Sequence, residues 1–239
     1  MRGNPGLCLG VALLLSVCAG AGVAQPVNDR TALDGVWKIA QPRVSLPLEN
    51  EAPIPFTPVG REQYERNKAA ALRGDYGFDP TLSRCSSPGM PRIMLSDRPF
   101  KIFVRANVVS MMFEWNRLLR QVNMGASPSE RVWGTVMGDA WGRWEGDTLV
   151  IDSRNFKPER LLDDLIPSSE QLRLVEHLRL ADADTLDDRI TITDPDMFTR
   201  SWDAVVTYKR QPKQAFAEDV CLDRKAAGQA PWPGRLARP

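Results

Sequence analysis

Apolar and polar residues alternate along several segments in the second half of the chain. The clearest segment is LRLVEHLRL, residues 172–180. Alternation with a period of two predicts a β-strand that buries one of its faces. The apolar face carries four leucines and one carboxylate, and the other face is more polar. The first face holds Leu172, Leu174, Glu176, Leu178 and Leu180; the second holds Arg173, Val175, His177 and Arg179.

Other segments rich in β-branched and aromatic residues predict further strands, because glycine, proline, aspartate and asparagine separate them. These segments are TALDGVWKIA, FKIFVRA, VVSMMFEWN, RWEGDTLVIDS, DRITITD and WDAVVTYKR. Gly146 and Asp147 predict a tight hairpin turn, and the segment LADADTLDD predicts another turn between strands.

Two helices interrupt the predicted strands. The first has Thr57 as its N-cap, Pro58 as its first residue and Gly74 at its end. The second is short and begins at Pro158, and its apolar side carries Leu161, Leu162 and Leu165.

This order of elements predicts a mainly β protein with one globular domain, residues 25–225, and one or two short helices. Two architectures fit the pattern, an antiparallel barrel of the lipocalin type and a β-sandwich. We favour the barrel because closure leaves no unpaired edge strand. A barrel of about eight strands can also hold one small ligand.

Both ends of the chain differ from this domain. Residues 1–24 combine an early Arg2, an apolar run and small residues before Ala24, which is typical of a secretory signal peptide. The run is too short to span a membrane. A lipid anchor on Cys18 is not expected, because Val17 stands where a small residue would precede such a cysteine. We therefore predict a periplasmic or secreted protein, and a disordered tail over residues 226–239.

Charge and cysteine content narrow the possible functions. Loss of Arg2 with the signal peptide leaves as many basic as acidic residues, which argues against a nucleic-acid binder. No later segment is apolar enough to span a membrane. The mature chain keeps Cys85 and Cys221, and an oxidising compartment predicts a disulfide between them. The alternative is a free catalytic thiol, for which His177 is the available base.

Several segments resemble a large, mostly uncharacterised family of exported bacterial proteins that carry a GRWEGDTLV motif. They are CSSPGMPRIM, RPFKIFV, GRWEGDTLVID and DADTLDDRITITDPDMFTRSWD, and the resemblance extends over nearly the whole mature chain. The resemblance implies an exported barrel, and it implies no particular activity. Where the family has a pattern similar to Pro-His-Ser-Glu, this chain has Pro-Ser-Ser-Glu, so Ser168 stands in place of the histidine. The family's Glu-Arg in the strand is Glu176 followed by His177 here.

Glu176 is the main candidate for chemistry, because a carboxylate on a buried face must be paired, hydrogen-bonded or protonated. It is either a proton shuttle in acid–base catalysis or half of a structural ion pair with Arg117 or Arg143. His177 should point to the opposite face of the strand, towards solvent, unless a bulge turns it inward.

Further candidates lie on the other strands. Glu114 and Asp152 could converge with Glu176, as two-carboxylate chemistry requires. Apolar, aromatic and basic side chains could line a ligand pocket; they are Met112, Trp115, Arg117, Trp144 and Trp202. We expect no cofactor and no metal, because one histidine and two bonded cysteines supply few ligands and DADTLDD lacks the features of a calcium loop.

Three functions remain open. The first is an exported barrel that binds a small apolar or aromatic molecule. The second is a cofactor-independent lyase, isomerase or hydrolase that uses Glu176, with help from Glu114, Asp152 or His177. The third is a structural envelope protein without a pocket. The surroundings of Glu176 should separate them, because a free carboxylate in a pocket favours an enzyme and an arginine partner favours a scaffold.

Overall fold

The computed structural model describes Met1 and residues 30–43, 45–49, 52–125, 133–158 and 160–233. The predicted signal peptide, apart from Met1, and the last six residues of the predicted tail lie outside the described residues. Within the described part of the chain, no helix is both long and apolar enough to cross a membrane.

Eleven strands are described. They are β1 (Gly35–Ile39), β2 (Phe100–Val104), β3 (Val108–Phe113), β4 (Leu119–Met124), β5 (Asp139–Glu145), β6 (Thr148–Arg154), β7 (Arg160–Leu161), β8 (Pro167–Ser168), β9 (Arg173–Asp182), β10 (Thr185–Thr193) and β11 (Trp202–Arg210). The helices are α1 (Pro58–Leu72), α2 (Pro80–Arg84) and α3 (Cys221–Ala226), with 3₁₀ helices η1 (Arg30–Leu33) and η2 (Arg92–Leu95).

Nine of these strands close into a barrel, in the order β1-β11-β10-β9-β6-β5-β4-β3-β2, and β7 and β8 form a separate small sheet. The predicted mainly β barrel is therefore confirmed. Neighbouring strands are antiparallel except β4 and β5, which pair in parallel over three residue pairs. A parallel pair needs a longer connection than a hairpin, and residues 125–138 supply it.

The predicted strand segments correspond to β1, β2, β3, β5, β6, β9, β10 and β11, but β4 was not predicted. Its sequence, LRQVNM, places Leu119 outward with 51 % of its surface exposed and Arg120 inward with 1 % exposed. The expected distribution of apolar and charged residues is thus reversed at the start of this strand. A pattern that assumes an apolar inner face cannot recognise it.

The first predicted helix is confirmed, and the second is wrong. In α1 the Thr57 side chain accepts a hydrogen bond from the Gly60 N–H at 3.0 Å, which caps the helix start. The segment after Pro158 instead forms the short β7–β8 pair and a loop. The Asp163 carboxylate organises this loop, because it accepts hydrogen bonds from the N–H groups of Leu165 and Ile166, both at 2.8 Å.

The C-terminal segment is folded where it is described, which corrects the predicted tail over residues 226–233. Trp232 is only 2 % exposed and packs edge-to-face on Trp115, with ring centroids 5.1 Å apart. The predicted disulfide is confirmed, and Cys85 and Cys221 have Cα atoms 5.7 Å apart. The disulfide ties this segment to the end of α2. Composition alone could not predict that Trp232 is buried, because its partner Trp115 is far away in the sequence.

One end of the barrel, which we call the η1 end, is closed by η1. Arg210 at the end of β11 holds it there. Its Nη1 and Nη2 donate to the carbonyl oxygens of Asp34 and Ala32, both at 2.7 Å, and its Nε donates to Ala183 O at 2.9 Å. Because Ala183 lies in the turn between β9 and β10, these three bonds join η1 to the strand ends.

Candidate ligand-binding site inside the barrel

Glu176 faces the interior of the barrel, as the alternation in residues 172–180 predicted. Its neighbours Leu174 and Leu178 on the same face are fully buried, and Glu176 itself has no exposed surface. In the barrel it lies opposite Ile151 of β6 on one side and Ile190 of β10 on the other. Apolar side chains therefore surround this carboxylate laterally, and any polar partner must come from across the interior.

That partner is Arg120 of β4, and not Arg117 or Arg143 as predicted. The Arg120 Nη1 donates to Glu176 Oε1 at 2.8 Å, and its Nη2 donates to Glu176 Oε2. Nη2 also donates to the Ser153 hydroxyl at 2.9 Å. The predicted partners Arg117 and Arg143 do not reach Glu176, because both are exposed and form other ion pairs. Arg117 pairs with Glu218 at 2.9 Å, and Arg143 pairs with Glu145 at 2.6 Å. Both Glu176 oxygens are thus held in a bidentate ion pair, which favours a structural role.

Asp188 of β10 is a second buried carboxylate on the inner face of the barrel. It has no exposed surface, and neither of its carboxylate oxygens has a hydrogen-bond partner among the described residues. Asp188 lies diagonally from Glu176, two residues before the Ile190 that faces it. Burial raises the pKa of the Asp188 carboxyl well above its ordinary value; the negative charge of Glu176 adds to this effect and the Arg120 cation opposes it.

Tyr208 of β11 belongs to the same interior. Its hydroxyl donates to Met94 O at 3.2 Å. Burial, followed by the charges of Asp188 and Glu176, raises the pKa of the Tyr208 hydroxyl well above its ordinary value. The hydroxyl therefore stays neutral and adds no charge to the interior.

The charges inside the barrel do not balance when all groups are ionised. Among the described residues, the charged side chains that point inward from the strands with at most 1 % exposure are Arg120, Glu176 and Asp188. One guanidinium faces two carboxylates. An uncompensated buried charge is costly, so the interior is neutral only when Asp188 holds a proton or receives a cation.

Apolar side chains lie between this cluster and the η1 end. Trp144, Leu149, Leu178 and Asp188 are successive cross-strand partners in one row across β5, β6, β9 and β10. Trp144, Leu180 and Met124 are partly buried and pack against the core. The Arg30 guanidinium of η1 lies 5.6 Å from the centroid of the Trp144 ring. Trp144, Leu180 and Met124 therefore lie between Asp188 and the η1 end.

The predicted convergence of Glu114, Asp152 and Glu176 does not occur. Asp152 lies on the outer face, because its neighbour Ile151 is the residue that faces Glu176, and it pairs with Arg173 at 2.6 Å. Glu114 lies just beyond the end of β3, and its carboxylate accepts a hydrogen bond from the Ala217 N–H at 2.9 Å. Asp152 therefore belongs to a surface ion pair, and Glu114 holds the segment that precedes α3.

Most of the predicted ligand-binding residues are also separated from one another. Met112 and Arg117 lie outside the barrel interior. Trp115 packs under Trp232, and Trp202 packs edge-to-face on Phe198 with ring centroids 5.4 Å apart. Of the predicted set, Trp144 alone shares a cross-strand row with Asp188. Aromatic content predicted a lined lumen; Trp144 and Trp202 do lie on inner faces, but at opposite ends of the barrel, and Trp115 lies beyond the end of β3.

His177 points to the outer face, as the strand geometry predicted. It lies opposite Val150 of β6 and Arg189 of β10 and is partly buried. Its Nδ1 is buried and has no hydrogen-bond partner among the described residues. His177 and Glu176 therefore occupy opposite faces of β9 and do not form a catalytic dyad.

Sequence reasoning missed Arg120, Ser153 and Asp188. A usable signal existed for Asp188, because it alternates with Ile190 and Ile192 in the segment DRITITD, as Glu176 alternates with leucines. A polar residue at an apolar position of a strand marks an inward polar group. Arg120 gave no comparable signal, because its strand was not recognised.

No family model matches the chain, and no curated protein matches it. Among solved structures, the chain is similar to a mutant of the fluorescent protein UnaG, at 14 % sequence identity and a TM-score of 0.35. The similarity covers 75 % of this chain and 96 % of that one. A likeness at this level bears on neither the ligand nor the chemistry of this barrel.

Proposed function

We propose that this protein is an exported β-barrel that binds a small apolar or aromatic molecule carrying an amino group, inside the barrel near its η1 end. The observation that carries the proposal is Asp188, whose two carboxylate oxygens are fully buried without a hydrogen-bond partner among the described residues. Buried polar groups in folded proteins are almost always hydrogen-bonded. A ligand that donates hydrogen bonds would satisfy this carboxylate.

The charge of the interior supports a cationic donor. Arg120 already serves Glu176 through both of its terminal nitrogens, so it leaves Asp188 without a counter-ion. An ammonium group beside Asp188 would bring the interior to neutrality with both carboxylates ionised. In the unbound protein a proton on Asp188 would do the same. Binding of an ammonium ion should therefore release this proton.

The side chains around Asp188 support an apolar body for the ligand. Trp144 and Leu178 belong to its cross-strand row, and Leu180 lies one inward position nearer the η1 end. Met111 lies beside the cluster, with its sulfur 3.9 Å from Arg120 Nη1. Methionine side chains adapt readily to a neighbouring group. Because η1 covers this end, entry of a ligand requires η1 to move from the contacts made by Arg210.

Export is supported by two independent features. The first 24 residues have the order of charge, apolar run and small residues that a signal peptide requires. The Cys85–Cys221 disulfide fits an oxidising compartment. The mass of the denatured protein recovered from the periplasm of an expressing bacterium tests this point: cleavage after Ala24 is expected, and an intact N-terminus would contradict export.

Binding can be tested by isothermal titration with benzylamine as the probe and benzyl alcohol as its uncharged analogue. We expect benzylamine to bind more tightly than benzyl alcohol. We also expect proton release, seen as a dependence of the heat on the buffer's ionisation enthalpy. The Asp188→Asn variant keeps the shape of the side chain and should weaken benzylamine binding by about tenfold or more. The Asp152→Asn variant is the matched control, because Asp152 lies on the outer face.

Equal binding of the two probes, or equal affinity in the Asp188→Asn and wild-type proteins, would show that Asp188 does not anchor an amine. Native mass spectrometry of the periplasmic protein complements this test. A basic small molecule retained by wild type and lost in Asp188→Asn is the expected result, and equal retention of that molecule by the two proteins would contradict the proposal.

A further inference from the structure

A groove of about 560 Å³ lies on the outer face of the barrel, behind the strands that carry Glu176 and Asp188. We call it the outer groove. It crosses β6, β9 and β10 and belongs to the size range of small-molecule sites. Its lining combines polar and charged groups with apolar carbon surface, and consists of Thr148, His177, Arg179, Ala181, Asp187, Arg189 and Thr191.

Strand pairing places two guanidinium groups around the single histidine. Arg189 is the direct cross-strand partner of His177, and Arg179 is two residues further along β9 on the same face. Asp187 is the cross-strand partner of Arg179 and accepts a hydrogen bond from the Thr207 hydroxyl at 2.6 Å. The groove lining thus carries two guanidinium groups and one carboxylate around the imidazole.

Both arginines keep donors available for a ligand. Among the described residues, Arg179 uses its Nε for an ion pair with Asp147 at 3.1 Å. Arg189 uses one nitrogen, Nη2, for Glu49 at 2.8 Å and Asp203 at 3.0 Å. The arginine side chains are 63 % and 52 % exposed, and ion pairs between exposed groups contribute little stability. A ligand can therefore compete with these carboxylates.

We propose that the outer groove is a binding site for a small organic monocarboxylate, held between Arg179 and Arg189 over the ring of His177. The planar guanidinium group matches a carboxylate through paired N–H donors. Asp187 in the lining, and Asp147, Glu49 and Asp203 beside it, surround the two guanidinium groups with negative charge, so a monoanion that displaces one of these carboxylates is favoured over a dianion. The methyl groups of Ala181, Thr148 and Thr191 can contact the apolar part of such a ligand.

This site is separate from the proposed interior site and has the opposite ligand preference. The inner face of β9 and β10 presents Glu176 and Asp188, and the outer face presents His177 and Arg189. Because successive residues of a strand point to opposite faces, a bound carboxylate would touch neither interior carboxylate. Failure of one proposal therefore leaves the other standing.

The chain contains one histidine, so its imidazole signals in an NMR spectrum belong to His177 without further assignment. Sodium benzoate is the probe, benzamide is its neutral analogue and inorganic phosphate is the dianion, all at pH 8, where the phosphate dianion predominates, and at matched ionic strength. We expect saturable shifts of the His177 ring signals with benzoate, smaller shifts with phosphate and none with benzamide. Shifts reproduced by sodium chloride, or equal shifts with benzamide, would overturn the proposal.

Two variants localise the site. Arg189→Gln should weaken benzoate binding by about tenfold, and Arg179→Gln should weaken it as well. The control is Arg173→Gln, which removes another outward arginine of β9 that pairs with Asp152 and does not line the groove. Unchanged benzoate affinity in both groove variants, or an equal loss in the Arg173→Gln control, would overturn the assignment.

Discussion

The guanidinium of Arg120 spans the barrel interior and meets both carboxylate oxygens of Glu176, with Nη1 and Oε1 2.8 Å apart. The two residues belong to β4 and β9, which β5 and β6 separate in the barrel. The pairing of β4 with β5 covers Val122, Asn123 and Met124 only. The first half of β4 is therefore held by β3 and by this ion pair across the interior.

Removal of one partner of this pair should destabilise the protein strongly. Arg120→Met leaves Glu176 as an uncompensated buried charge, and a loss of about 3–5 kcal/mol in the free energy of unfolding is expected. The double variant Arg120→Met with Glu176→Leu should recover much of this loss, because apolar groups of similar volume replace both charges. Urea unfolding of wild type, the two single variants and the double variant measures the effect. Additive losses in the double variant would show that the two side chains stabilise the barrel independently.

Asp188 should make stability depend on pH. Its folded-state pKa lies above the value of about 3.9 for an unfolded aspartate. The folded protein therefore holds a proton that the unfolded chain has released. The contribution of this carboxyl to the free energy of unfolding is fully present below the pKa of the unfolded chain. It is lost as the pH rises through the pKa of the folded protein.

Urea unfolding at several pH values compares wild type with Asp188→Asn. The wild type should lose stability relative to the variant as the pH rises through this window, because the amide cannot ionise. Asp163, whose pKa is also raised by burial, is present in both proteins and cancels in the comparison. A difference between the two proteins that stays constant with pH would contradict a protonated Asp188.

The disulfide should contribute substantially to stability. Cys85 and Cys221 are separated by 136 residues. In the chain-entropy description, a loop of this length corresponds to about 5 kcal/mol. The double variant Cys85→Ala with Cys221→Ala should be less stable than the oxidised wild type by a similar amount. Wild type in the presence of a reductant is the control and should unfold near the variant. Equal stability of oxidised and reduced wild type would contradict the prediction.

Trp232 should be part of the cooperative fold. It is 2 % exposed, and its contact with Trp115 joins the C-terminal segment to the barrel. Trp232→Ala should lower the free energy of unfolding by about 3–5 kcal/mol, because it removes a large buried aromatic side chain. Trp133→Ala is the matched control: Trp133 is 80 % exposed, and the expected change is within about 0.5 kcal/mol. If Trp232→Ala changed the free energy of unfolding as little as Trp133→Ala, residues 226–233 would not be part of the cooperatively folded structure.

Local patterns in the sequence predicted what depends on neighbouring residues. Strand alternation identified the inward position of Glu176 and the outward position of His177, because successive side chains of a strand point to opposite faces. The Thr57 and Pro58 pair located the start of α1 by its capping chemistry. The helix predicted after Pro158 was wrong. The spacing of its leucines fits a helix, but backbone N–H groups bind the Asp163 carboxylate and stabilise a loop instead.

The sequence by itself determined a β-rich chain, the two faces of its strands and the pairing of Cys85 with Cys221. The tertiary structure alone decided which groups meet inside the barrel. Arg120 became the partner of Glu176 because closure brings β4 opposite β9, whereas the sequence analysis had offered Arg117 or Arg143 as partners. Asp152 was turned away from Glu176 by the register of β6 against β9. Register and closure depend on pairing between distant segments, and a period of two residues carries no information about that pairing.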